Sequence, residues 1–167
     1  MSGHLAVAAA TETLRQLLQE AVDADLPGTT VAVARPGDQQ PRSPGSRIEI
    51  HLYRVTTNAE LKNVPPVARP GGIPDRPAGV WLDLHYLVAA SGDDALLEPH
   101  RLIGIVVRTL DRWPMLESQV VGDPAQRVQL RLVDLSLEDL AHLWSGLLRA
   151  PAQLSVACTA GPVLVGE

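Results

Sequence analysis

The chain has 167 residues, a formal net charge of −5 and 46% hydrophobic residues. This length suits one domain over residues 1–167, and the hydrophobic content predicts a folded core rather than a disordered chain. The acidic charge argues against nucleic-acid binding, which needs a basic face, and the single cysteine cannot form an internal disulfide.

The N-terminal part of the chain predicts one helix and one short strand. Residues 4–23 place leucine, alanine and valine at the i, i+3, i+4 and i+7 spacing of an amphipathic helix. The segment has no basic start, so we interpret it as this helix and not as a signal peptide. Pro27 and Gly28 end the helix, residues 29–34 form a β-branched strand, and residues 35–46 form a loop rich in proline and glycine.

Two central strands flank a second long loop. In residues 47–55, isoleucine and leucine alternate with Glu49, His51 and Tyr53, which predicts a strand whose second face is amphipathic. Residues 80–90 alternate in the same way and form the next strand. The proline-rich segment 58–79 between them is a long loop, and such loops in compact domains are usually functional or mobile.

The second half of the chain adds two helices and the remaining strands. Residues 91–94 supply a turn and an N-cap for a helix with Pro99 in its first turn, and Trp113-Pro114 ends that helix. Residues 115–126 are turn-rich, and residues 127–135 alternate cleanly as a strand.

A short helix follows, with Ser136 as N-cap and Asp139 completing a variant of the capping box. Its inward side chains are predicted to be Leu140, Leu143, Trp144 and Leu147. Pro151 ends this helix, and residues 153–165 form one or two final strands.

The element order α-β-β-β-α-β-α-β predicts an α/β (α+β) sandwich. We expect about three helices packed on one face of a mixed, mostly antiparallel sheet of about five strands. No apolar run approaches the length of about 20 residues that spans a bilayer, so we expect a soluble, cytoplasmic protein without membrane insertion.

The sequence offers no motif for catalysis or cofactor binding. There is no Gly-x-Ser-x-Gly elbow, and Pro70–Pro74 lacks the strand-turn-helix setting of a phosphate-binding loop. Asp93-Asp94 is interpreted as a helix cap. Cys158, Trp113 and Trp144 are interpreted as core residues. We therefore expect no catalytic residue, cofactor or metal.

One alternative from the residues remains open. His51 lies in one central strand, and Asp83 and His85 lie in the other, so a metal or enzyme site could form between them. The simpler interpretation, a pair of half-exposed strand histidines, is favoured.

Three segments together resemble a known family. They are Leu52–Leu61 (LYRVTTNAEL), Leu82–Ala90 (LDLHYLVAA) and Leu135–Trp144 (LSLEDLAHLW). In this order and spacing they are similar to a bacterial domain of once-unknown function (DUF4255, the Pvc16-type N-terminal domain). That domain is found in cap, or tube-terminator, proteins of phage-tail-like contractile injection systems.

The resemblance implies a structural role and a fold similar to phage tail terminator proteins. A family member is expected to form a homohexameric ring on the end of the inner tube distal to the baseplate. There it stops tube polymerisation and contacts the last sheath layer. Assembly in the cytoplasm is expected, followed by release of the particle from the cell. An adaptor or chaperone for secreted cargo is a further alternative.

The candidate assembly interface lies where the first central strand passes into the long loop. Exposed strand edges and loops are natural docking surfaces between subunits. On this basis the sequence predicts four contact residues: Arg54, Asn58, Lys62 and Arg69.

Overall fold

The computed structural model describes residues 3–36, 45–62, 79–118 and 125–166. The helices are α1 (Ala6–Asp25), α2 (Ala59–Lys62), α3 (Glu98–Arg112) and α4 (Leu137–His142), which continues as a π-helix over Leu143–Leu148. The strands are β1 (Thr30–Val33), β2 (Arg47–Thr57), β3 (Gly79–Ser91), β4 (Met115–Ser118), β5 (Gln126–Val133) and β6 (Leu154–Gly166). No helix in these ranges is long and apolar enough to cross a membrane.

One mixed sheet holds all six described strands in the order β1-β2-β3-β6-β5-β4. Its pairings are antiparallel except for β1 with β2, so the sheet is mixed and mostly antiparallel, as the sequence predicts. The sixth strand is β4, which lies in the part of the chain predicted to be turn-rich. It forms because Leu116 pairs with Val128 and is buried, although four residues are too few to show an alternating pattern.

The main core lies between one face of the sheet and the two long helices. Helix α1 buries Ala10, Leu14, Leu18 and Val22 at the predicted helical spacing, and α3 contributes residues such as Leu102 and Val106. The facing strand side chains come from alternate positions, and on β3 they are Leu84, Tyr86, Val88 and Ala90. Cys158 also lies in this core, as predicted, and burial raises the pKa of its thiol to about 12.

The third predicted helix packs on the opposite face of the sheet, which corrects the expectation of helices on one face only. Leu87 and Ala89 of β3 point away from the main core, and Leu143, Trp144 and Leu148 cover them. The apolar side chains on this second face are removed from water only because the helical segment packs over them. In a π-helix the hydrogen bonds span five residues. Leu148 is therefore buried in place of the predicted Leu147, which is 46% exposed.

Trp113 is a second correction to the predicted core. Its side chain is 53% exposed, and the guanidinium of Arg112 lies 5.9 Å from the centre of its ring. Trp113 is the C-cap of α3 and donates its backbone N–H to the carbonyl of Thr109, so it lies at the end of the helix.

A bulge in β2 decides which polar side chains share a face. The register with β3 shifts between Leu52 and Arg54, so that Tyr53 is an extra residue in β2. After the bulge, Arg54 lies opposite His85 and Thr56 lies opposite Asp83. The end of β2 therefore turns its polar residues to the face opposite the main core.

Candidate functional site

Four side chains form a row across the sheet, on the face opposite the main core. Arg54 of β2 lies opposite His85 of β3, and His85 lies opposite Thr159 of β6. Thr159 in turn lies opposite Arg131 of β5. We call these four residues, Arg54, His85, Thr159 and Arg131, the cationic row.

The neighbouring positions carry groups that form hydrogen bonds. The imidazole Nε2 of His85 lies 2.8 Å from the hydroxyl of Thr56. Burial lowers the pKa of His85, the charge of Arg54 lowers it further, and Asp83 opposes both effects. The imidazole is therefore favoured in its neutral form, and the permanent charges of the row are its two arginines.

Asn58 has a structural role that the sequence did not reveal. Its Nδ2 donates to both carboxylate oxygens of Asp83, at 2.9 and 3.1 Å. Its Oδ1 accepts a hydrogen bond from the backbone N–H of Leu61, and its carbonyl accepts one from Lys62. Asn58 thus caps α2 and ties it to β3, so it fixes the position of this corner instead of presenting a free side chain.

Gly161 of β6 lets β6 pass close to Asp83. A Cβ atom at this position would lie 2.1 Å from Oδ1 of Asp83. Only glycine allows this approach, so Asp83 is held between Asn58 on one side and the backbone of β6 on the other.

A shallow depression of about 360 Å³ lies over this part of the sheet. Its lining includes the polar side chains of Asp83, His85, Gln129, Arg131 and Thr159. Arg131 donates to the side-chain oxygen of Gln129 at 2.6 Å. Within the described residues, neither Arg54 nor Arg131 forms a salt bridge.

The predicted contact residues are only partly brought together. Arg54 and Lys62 are exposed on either side of Asn58, and Arg69 lies outside the described residues. Sequence reasoning missed Arg131, Thr159 and Gln129. The alternation of β5 places Arg131 and Gln129 on its polar face, but pairing between strands distant in sequence is not visible in one sequence.

The histidine pair does not form the hypothesised metal site. His51 lies opposite Leu87, whereas His85 lies opposite Arg54, and Asp83 is bound by Asn58. Both imidazoles are half-buried, and burial lowers the pKa of His51 as well, with a smaller effect from Arg35. The ranges that the structure describes contain no group of three or more His, Cys, Asp or Glu side chains suited to a metal ion.

The acidic pair Asp93-Asp94 begins a helical turn, as predicted. The carboxylate of Asp93 accepts from the N–H of Ala95 and caps a 3₁₀ turn over Asp94–Leu96. Glu98 accepts from the backbone N–H of Asp93. Ser136 likewise caps α4 through the N–H of Asp139, and its hydroxyl donates to the Asp139 carboxylate.

Comparison with known proteins gives a family and a shared fold. A family model described as the Pvc16 N-terminal domain matches residues 9–167. The sheath/tube terminator of the extracellular contractile injection system PVC, in its extended state, superposes with a TM-score of 0.69 at 17% identity. The tube-terminating cap of the anti-feeding prophage superposes with a TM-score of 0.61, also at 17% identity.

The two matches cover nearly all of this chain but a smaller share of the solved chains. They cover 96% and 95% of this chain, but only 56% and 55% of the two solved chains, so the sequence spans little more than half of each. At this identity the likeness shows the α+β fold of the tube terminators. No curated protein matches the sequence.

Proposed function

The chain belongs to the Pvc16 N-terminal domain family, and on that premise we propose that it is a structural cap, or tube terminator, of an extracellular contractile injection particle. One observation carries the proposal. The fold agrees over 95% or more of the chain with two proteins that are themselves described as tube terminators.

In this proposal the chain acts by occupying a surface that would otherwise bind the next subunit. Residues 1–167 form one domain, and six copies close a ring on the end of the inner tube distal to the baseplate. A closed ring requires head-to-tail contacts between two different patches of the same chain. The ring then blocks further tube subunits and contacts the last sheath layer. Assembly takes place in the cytoplasm before the particle is released.

The sheet corner around Asn58 is proposed as part of the contact surface. Arg54 and Lys62 are exposed there, and we retain them with Arg69 as contact residues. Asn58 supports them by holding α2 against β3. Charged side chains that start from a rigid sheet corner suit a contact that must form in one orientation.

No catalytic role is proposed. A catalytic site between the central strands would use His85 and Asp83. Both side chains already form hydrogen bonds, His85 with Thr56 and Asp83 with Asn58. The two structural neighbours are described as terminators, which supports a non-enzymatic role.

Deletion of the gene tests the proposed function. We expect particles of uncontrolled length, or failed assembly, because nothing ends polymerisation of the tube. The measurement is the length distribution of purified particles by electron microscopy, with a strain carrying the gene on a plasmid as control. Particles of normal and uniform length from the deletion strain would contradict the proposal.

A further inference from the structure

We propose that the cationic row is the surface on which one copy of the chain receives an acidic surface of a second copy. This inference rests on the proposed function and names a contact within the ring. It is carried by the geometry of the row and by the charge of the chain.

The row presents two arginines at a fixed separation. Arg54 and Arg131 are three strands apart in register, and neighbouring strands lie about 4.8 Å apart, so their backbones are separated by about 14 Å. Both side chains are exposed. Because β3 and β6 pair with each other and with the strands that carry the two arginines, the spacing is set by backbone hydrogen bonds and not by a loop.

The chemistry of the row suits carboxylates. Guanidinium groups bind carboxylates through two parallel hydrogen bonds, which fixes the orientation of the partner as well as attracting it. Between the arginines, Thr159 adds a hydroxyl, and His85, Thr159 and Arg131 of the row line the shallow depression. Two carboxylates, of Asp83 and Glu60, also line the depression, and that of Asp83 is bound by Asn58.

The segment of the chain between Lys62 and Gly79 is not complementary in charge to the row. Residues 63–78 follow Lys62 directly and contain Arg69, Asp75 and Arg76, so their net charge is positive. A cationic segment is repelled by a cationic surface, and the electrostatics therefore favour an acidic partner from outside this segment.

A second copy supplies such a partner. The sequence has 19 acidic residues against 14 lysines and arginines, so the row is a positive patch on an acidic chain. Two of the stretches that contain no lysine or arginine are 77–100 and 132–148. Their exposed carboxylates are Asp93, Asp94, Asp134, Glu138 and Asp139. A head-to-tail contact that joins the row to one of these stretches pairs two different patches, as ring closure requires.

Self-association of matched variants tests this inference. The test variant is Arg54→Gln with Arg131→Gln, and the control is Arg101→Gln with Arg127→Gln. All four arginines are exposed, and both pairs lower the net charge by two. A third variant, Arg54→Lys with Arg131→Lys, keeps the charge but loses the guanidinium geometry. Sedimentation velocity over a range of protein concentrations, at about 0.1 M and about 1 M salt, gives the association constants.

We expect the wild-type chain to self-associate at low salt and to dissociate as salt screens the contact. The Gln pair is expected to weaken association about ten-fold or more, while the control pair changes it less than about two-fold. The Lys pair is expected to be intermediate. Circular dichroism of every variant checks that the exposed substitutions leave the fold unchanged.

Two outcomes would overturn the inference. Equal association of the test and control pairs would place the contact elsewhere, and a wild-type chain that remains monomeric at every concentration would exclude a second copy as the occupant. Either result leaves the cap function standing if particle length still depends on the gene. Conversely, normal particles from a deletion strain would defeat the cap function without altering the measured association.

Discussion

Tyr86 is the largest fully buried side chain of the described core, and its hydroxyl links the sheet to helix α1. That hydroxyl lies 2.8 Å from Oγ1 of Thr11, which itself donates to the carbonyl of Val7 at 2.9 Å. Since a threonine hydroxyl has only one hydrogen, Tyr86 must be the donor to Thr11. Burial raises the pKa of Tyr86 to about 12, so it retains this proton at physiological pH.

Replacing Tyr86 with phenylalanine removes this donor and keeps the ring. We expect Tyr86→Phe to lower the free energy of unfolding by about 1 kcal/mol, because Thr11 loses one partner in a buried setting. Chemical denaturation measures the change. Thr11→Ala combined with Tyr86→Phe should cost less than the sum of the two single changes. Strict additivity would contradict the assigned bond.

Gly161 gives a second test at the scale of one residue. We expect Gly161→Ala to destabilise the fold by at least about 2 kcal/mol, because the new methyl group would overlap the Asp83 carboxylate that Asn58 holds in place. Gly104→Ala is the matched control. Gly104 is exposed within α3 with open space around it, so alanine there should stabilise the helix by about 0.5–1 kcal/mol. Thermal unfolding of both variants measures whether Gly161→Ala lowers the stability and Gly104→Ala raises it.

The contact role of Arg54, Asn58, Lys62 and Arg69 stays a prediction, but the surroundings of three of them can be compared with the sequence. Arg54 and Lys62 follow a polar strand end and are exposed, as expected. The internal bond of Asn58 could not be predicted, because its partner Asp83 is 25 positions away and becomes adjacent only when β2 and β3 pair. The bulge at Tyr53 decides that pairing, and no local signal in the sequence marks it.

Among the elements, the long helices and central strands could be predicted because their periodicity extends over many residues. Helix α1 and strand β3 lie within a few residues of the predicted bounds. Strand β4 and helix α2 were missed, since each has four residues. The prediction that all helices pack on one face is also wrong for α4. Both faces of β3 are apolar near its end, and the sequence alone does not assign a helix to one of them.

Helix α2 depends on its cap. We expect Asn58→Ala to expose the amide of Leu61 to faster hydrogen exchange and to destabilise the fold by about 1 kcal/mol, since the cap and the bond to Asp83 are lost together. Glu60→Ala is the control within the same helix, because Glu60 is exposed. Hydrogen exchange of the Leu61 amide, measured by NMR, is compared between the two variants. Unchanged exchange at Leu61 in Asn58→Ala would show that the cap does not hold the helix.

The segment formed by α4 and the π-helix should open before the rest of the fold. It rests on a small cluster of five buried residues, whereas α1 and α3 share a main core of 22. Within the described residues the buried indole N–H of Trp144 also has no hydrogen-bond partner, which weakens the packing of the segment.

We therefore expect amides of Leu143–Leu148 to exchange through a partial opening of lower free energy than amides in the middle of α1. Native-state hydrogen exchange at increasing denaturant separates partial from global opening. Equal opening free energies in the π-helix and in α1 would mean that the segment unfolds only with the whole molecule.

At the scale of the whole molecule, the shared fold and the sheet face together support an assembly component. One face of the sheet is closed by α1 and α3, and the other carries both a covered apolar patch and the cationic row. The overall class could be predicted from the order of elements, but the row could not, because it joins four strands whose neighbours are distant in sequence.

The position of the chain on the intact particle tests the central claim most directly. An epitope-tagged chain, introduced in place of the natural gene and labelled with gold-conjugated antibody, is located on purified particles by electron microscopy. The account predicts label at one end only, opposite the baseplate, on particles of normal length. Label spread along the shaft, label at the baseplate end, or particles free of label would contradict it.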